Sequence, residues 1–336
     1  MTLPLVPASF FGIVLGLAGL GSAWRAASKL WGLPPVIGEI ISLAAVAVWI
    51  LLAVLYGLKW ILAKHEALAE ARHPVRLCFI GLVGVSAMLV ALALLPYSKA
   101  GAWTFFIAGC SFAFSYAIWS TGRLWRGARD PGTTTAALYL PTVATCFVSV
   151  ILLGVLGHPD WGQLAFGAGM FTWLAIESVL LQRMLTVAEM PEEMRPTLGI
   201  QLAPPAVGCV AYLSITTGPP DTFAHILLGY AILQALLLFR LGGWILAHRF
   251  AASYWSVAFG ASALASSAVR MVERGEVGAV ATLAPYLFLV GNVIVGLIAA
   301  GTIYLIAKGR MTPMSPMVKP VGGEIIRLTR SAKDVQ

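Results

Sequence analysis

The chain has 336 residues, of which 59% are hydrophobic and only 11% charged, and its mean hydropathy is +0.87. An ordinary soluble domain carries about 25% charged residues, so water is excluded as the main solvent. The net charge of +8 comes from basic residues set in short gaps between apolar runs, not from a stripe with interleaved aromatics, and this excludes a nucleic-acid partner.

A hydrocarbon core of about 30 Å is crossed by about 20 apolar residues in a helix. In chain order the runs that meet this length are 6–24, 36–59, 75–96, 101–122, 137–156, 161–182, 197–216, 222–241, 252–269 and 281–306. They are too long for membrane strands, and lipid offers the backbone no hydrogen-bond partner, so each is predicted as a helix. Connections such as 158–160 and 216–221 are short enough to force sequential antiparallel hairpins. The opening stretch MTLPLVPASF has no basic segment or small-residue cleavage site and is not expected to be a removable signal.

The helices differ in kind. The first carries Gly12, Gly16, Gly19 and Gly21; Gly12 and Gly16 stand at a spacing that fits either close packing or a pathway wall. In 252–268 twelve of seventeen residues are Gly, Ala, Ser or Thr, against four of seventeen in 282–298. Small residues admit neighbouring backbones or leave space, whereas bulky aliphatic helices face lipid. The odd-numbered helices are therefore expected to form an inner layer and the even-numbered ones an outer layer. Prolines that disturb helices also fall on odd runs, at Pro141 in the fifth and Pro204 and Pro205 in the seventh, with Pro74 and Pro196 at the starts of the third and seventh. A freed carbonyl at that depth needs a partner or water, so Pro141 and Pro204 are candidates for lining a pathway or for improving packing.

Of the 22 basic residues, seventeen fall in the gaps after even-numbered helices and in the tail, from Lys59 to Lys333. Five (Arg25, Lys29, Lys99, Arg270 and Arg274) fall on the other side. That asymmetry places both termini in the cytoplasm. Residues 1–308 read as one ten-helix transmembrane domain, and 309–336, with three prolines and mixed charge, as a disordered cytoplasmic tail.

Chemistry-bearing residues are few. Cys78, Cys110, Cys146 and Cys209 each lie in a separate apolar run, without metal spacing, and read as small buried hydrophobes. His65, His73 and His248 fall in basic segments and His158 and His225 near the opposite side, so none pairs within a helix core. No cofactor, metal or catalytic motif is expected. Glu177 is the one carboxylate well inside an apolar run, six residues before Arg183. It reads either as a structural hydrogen-bond group or as a proton-coupling site.

Six segments carry a family likeness: FFGIVLGLAGLGSAW (10–24), RHPVRLCF (72–79), YLPTVA (139–144), GAGMFTWLAIESVLLQR (167–183), LGIQLAPPAVG (198–208) and WSVAFGASALA (255–265). Together they resemble the bacterial TehA-type members of the tellurite-resistance/dicarboxylate transporter family, which includes the plant guard-cell slow anion channel and fungal malate transporters. The resemblance implies five helical hairpins in quasi-fivefold arrangement, odd helices around a central pore, and assembly as a homotrimer in the inner membrane. It implies small inorganic or organic anions as partners, a pore occluded by Phe259 and a pore glycine at Gly12. Gly16, Pro141, Pro204, Gly260 and Ser262 are the further candidates for its lining. Close relatives have a proline after the sixth-helix glutamate where this chain has Ser178. The expected function is a passive anion channel, with a proton-coupled dicarboxylate carrier as the alternative; the second would need Glu177 to titrate.

Overall fold

A computed structural model describes residues 5–127, 129–247 and 249–309, and among these helices are the only regular secondary structure. Ten long helices follow in order: α1 (Phe11–Trp31), α2 (Pro35–Leu62), α3 (Leu82–Leu94), α4 (Lys99–Leu124), α5 (Thr145–Val155), α6 (Pro159–Thr186), α7 (Ala203–Ile215), α8 (Thr222–Arg240), α9 (Trp255–Glu273) and α10 (Ala279–Ala307). The expected tail, 310–336, and His248 lie outside the described residues. A short helix, Lys64–Arg72, and a single turn, Gly242–Ile245, stand in the connections between long helices.

Nine of the described helical segments are long and apolar enough to cross a membrane. The exception is α9, whose serines and glycine dilute its apolarity. The molecule is nonetheless a multi-pass helical membrane protein, and α9 is among its most enclosed elements, with fourteen of nineteen residues buried.

Burial separates two layers. In the segments that contain α1, α3, α5 and α7, 67–83% of the most apolar stretch is buried, against 22–28% in α2, α4, α6, α8 and α10. The odd helices thus spend their side chains on protein neighbours, while the even ones present Leu, Ile, Val and Phe outward, a surface that only hydrocarbon or another apolar face can cover. Each odd helix packs on the even helix that follows it. It also touches the next odd helix, and α9 returns to α1, so contacts among the odd helices close on themselves. Small residues permit this proximity. A methyl group built on Gly154 at the end of α5 would stand 2.1 Å from the Ser214 carbonyl oxygen of α7, so any larger residue there must push the two helices apart.

Every odd helix begins with a segment that is not α-helical: 3₁₀ turns at Ala8–Phe10, Arg76–Gly81, Glu192–Leu202 and Ala252–Tyr254, and a π turn at Leu140–Ala144. Proline explains two of them. Pro141 cannot donate an N–H within its turn, and Pro196 sits inside the 3₁₀ run, which at 11 residues is far longer than the usual 3–4. Pro204 and Pro205 lie in the first turn of α7, where a missing N–H costs nothing, so they mark the change to α geometry rather than a mid-helix kink.

Candidate functional site

The non-α starts of the odd helices surround a cavity of about 460 Å³. Its deep wall takes Gly12 and Leu15 from α1, Leu82 from α3, Leu140 from the π turn, Ala203 from α7 and Phe259 from α9, so all five odd segments contribute. Phe259 is 8% exposed, and its ring edge lies 3.3 Å from a methyl group built on Gly19 of α1.

The orientation of α9 follows from its contacts. Ala258 and Ser262 meet Gly16 and Gly19 of α1, Val257 and Gly260 meet Gly199 and the Leu202–Ala203 backbone, and Ala261 and Ala265 meet Gly291 of α10. At 100° per residue, the remaining flank carries Phe259, Ser266 and Arg270. Ser266 is 3% exposed, and its hydroxyl finds no partner among the described residues.

A second cavity, of about 310 Å³, opens at the opposite ends of α1, α3, α5 and α9, where Ser22, Lys29, Leu92, Val155 and Arg270 line it. The Arg270 guanidinium donates to the Ser22 hydroxyl at 3.2 Å. Phe259 in the first cavity and Arg270 in the second are eleven residues apart, about 16 Å along the helix. The flank that joins them carries no charge between these two positions.

The mouth of the larger cavity holds acids and bases in unequal states. Glu70 accepts from Lys59 at 2.6 Å and from the Ala8 N–H at 2.8 Å; Glu189 accepts from Arg195 at 3.2 Å and from the Trp244 indole; Asp130 accepts from the Gly132 N–H at 2.9 Å. Arg183 is only 7% exposed and Arg76 half-buried, and the Nε of each has no partner among the described residues. Arg76, Arg183 and Asp130 thus line this wall without an ion pair among the described residues.

Glu177 lies away from the cavity. It is 7% exposed and accepts from the Tyr139 hydroxyl, from the Trp173 indole at 3.2 Å and from the Tyr230 hydroxyl at 3.0 Å, while the Gln201 amide lies 2.9 Å from the same Tyr139 hydroxyl. These bonds tie α6 to α8 and to the entrance of α5. The four cysteines are free thiols, and no group of His, Cys, Asp and Glu among the described residues could hold a metal ion.

The site is thus an apolar cavity walled by five helices, with two arginines at its rim whose Nε atoms have no partner among the described residues. Among known proteins, a family model described as voltage-dependent anion channel, SLAC1, matches residues 6–303. The chain belongs to this anion-channel family. A tellurite resistance protein TehA homolog of Haemophilus influenzae is 36% identical over 306 residues, covering 91% of this chain and 92% of that protein. Two S-type anion channels of Arabidopsis thaliana, SLAH2 and SLAH3, are 23% and 25% identical over 82% and 79% of this chain, and the match spans 54% and 42% of their own lengths.

Within this channel-family fold the sequence candidates part company. Gly12 and Phe259 line the cavity. Gly16, Gly260 and Ser262 stand in helix contacts: methyl groups built on Gly16 and Gly260 would meet neighbours at 2.7 and 2.9 Å, and one built on Gly19 would stand 2.2 Å from the Ser262 hydroxyl. Pro141 and Pro204 are buried beside the lining residues Leu140 and Ala203. Sequence reading missed Ser266 and Arg270, which a count of seven and eleven residues beyond Phe259 could have found. It also missed Arg76 and Arg183, which look like ordinary boundary cations.

Proposed function

We propose that this protein is a passive anion channel of the cell inner membrane, with both termini in the cytoplasm, and that the Phe259 ring closes it at rest. Five helical hairpins would set the odd helices around a central conduit running from the larger cavity to the smaller one. The observation that carries the reading is the larger cavity itself, to which every odd helix contributes and whose wall holds the Phe259 ring on a helix made mostly of small residues. A lining without fixed charge at its narrowest part favours anions that dehydrate easily and leave quickly, while the basic rim raises their local concentration. Assembly as a homotrimer, through the bulky outer faces of even helices, completes the proposal. The relatives' names speak for anions as the cargo and for an association with tellurite resistance.

A proton-coupled dicarboxylate carrier needs a titratable group in the path. Glu177, the buried candidate, accepts three hydrogen bonds outside the cavity, which favours a tie between helices. Anion flux into liposomes that contain the purified chain tests the choice. A channel moves chloride or nitrate down its electrochemical gradient whatever the proton gradient, and accumulation driven by a proton gradient alone would overturn the proposal.

A further inference from the structure

On the side opposite the larger cavity, His225 stands in the first turn of α8 with an acceptor at each ring nitrogen. Its Nδ1 lies 2.7 Å from the Asp221 carbonyl oxygen, and its Nε2 lies 3.1 Å from a carboxyl oxygen of Glu276, in the turn between α9 and α10. A carbonyl and a carboxylate only accept, and a neutral imidazole has one N–H to give. Only the imidazolium satisfies both contacts at once. The His225 side chain is 41% exposed, so protons reach it from bulk water. The other charged and titratable groups of this corner have partners of their own. Tyr212, on α7, donates to the Asp221 carboxylate, which also accepts from the Ala224 N–H at 3.0 Å. Arg274, just past α9, donates to the Gly218 and Leu213 carbonyl oxygens at 2.8 and 3.0 Å and to the Thr216 hydroxyl at 3.1 Å. Glu273 lines the second cavity.

We propose that His225 is a proton-operated staple between α8 and the α9–α10 turn: protonated, it bridges the Asp221 carbonyl and Glu276, and on losing its proton it lets go of one of them. An ordinary histidine gives up its proton near about pH 6.5. Because the bridge needs the charged ring, its contribution is complete well below that value and is lost as pH rises. The staple fastens the far end of α9, the helix that carries Phe259, to an outer-layer helix. It gives one face of the molecule a response to pH, and it stands independently of the anion-channel reading.

Hydrogen–deuterium exchange of the full chain in detergent reads the staple without any flux measurement, so its failure and failure of the channel reading are separate events. The quantity is the protection of the turn amides at 275–278 relative to their intrinsic rates, measured at about pH 5.5 and about pH 8, either side of the histidine range. A partly exposed ion pair should change the opening equilibrium of the turn by about two- to fivefold, with the greater protection in acid. His225→Gln and Glu276→Gln should each remove that difference. Asp221→Asn, which keeps the backbone carbonyl and the helix cap but removes the other nearby carboxylate, should retain it. A parent chain with no difference between the two conditions, or a difference that survives in His225→Gln or Glu276→Gln, overturns the proposal. Loss of the difference in Asp221→Asn overturns it too, because the counter-charge would then be Asp221 and not Glu276.

Discussion

Phe259→Ala distinguishes a gate from a core aromatic. The ring is 8% exposed and rests against Gly19, in the deep wall of the larger cavity. If the pathway opens when the ring swings out, the cost is of the order of exposing one phenylalanine, about 1.5–3 kcal/mol. At 1.36 kcal/mol per factor of ten, that corresponds to a closed-to-open ratio of about 10 to 160. Removing the ring should therefore raise anion current by about one to two orders of magnitude, read in voltage-clamped cells or as chloride flux from liposomes. The matched control is Leu264→Ala, about 140° around α9 from Phe259 and equally buried, which should destabilise the protein and leave its current near the parent level. Equal currents in Phe259→Ala and the parent, at equal amounts of membrane protein, would refute the reasoning. So would an equal rise in both variants, since that reports general loosening and not the loss of a stopper.

Other substitutions probe the frame around the cavity. Gly154→Ala, whose added methyl would meet the Ser214 carbonyl oxygen at 2.1 Å, should lower the unfolding midpoint and yield, whereas Gly12→Ala, with its nearest neighbour at 3.7 Å, should fold normally. Glu177→Leu leaves three donors without their acceptor, at about 1–3 kcal/mol each if they stay dry, so the midpoint should fall far more than in Glu177→Gln; equal losses would point to a role for the charge itself. At the turn before α8, a hydrogen bond from the Tyr212 hydroxyl, followed by one from the Ala224 N–H, holds the Asp221 carboxyl below its ordinary range. Because its folded pKa is depressed, this contribution to stability is complete above about pH 4 and is lost as pH falls through the folded value. Asp221→Asn keeps the helix cap and should flatten that part of the acid-side stability profile.

By itself the sequence determined the solvent, the helical class and the division into inner and outer helices, because these depend on run length and on side-chain size summed over whole segments. Even the least apolar helix was recoverable, since twelve small residues in seventeen mark a helix made to be surrounded. The family likeness drew attention to Phe259 and Gly12, two residues that meet in one cavity. Only the tertiary structure decided which flank of α9 faces the cavities. Gly260 and Ser262 are close to it in sequence but turn toward other helices, whereas Ser266 and Arg270 lie farther along and face the same way, because rotation of a helix is fixed by the partners it packs against. The same holds for charge. Glu177 takes its partners from positions 139, 173 and 230, and Arg183 lines a buried wall instead of facing water. Composition records that a charge exists, but whether it is paired depends on atoms brought together from distant parts of the chain.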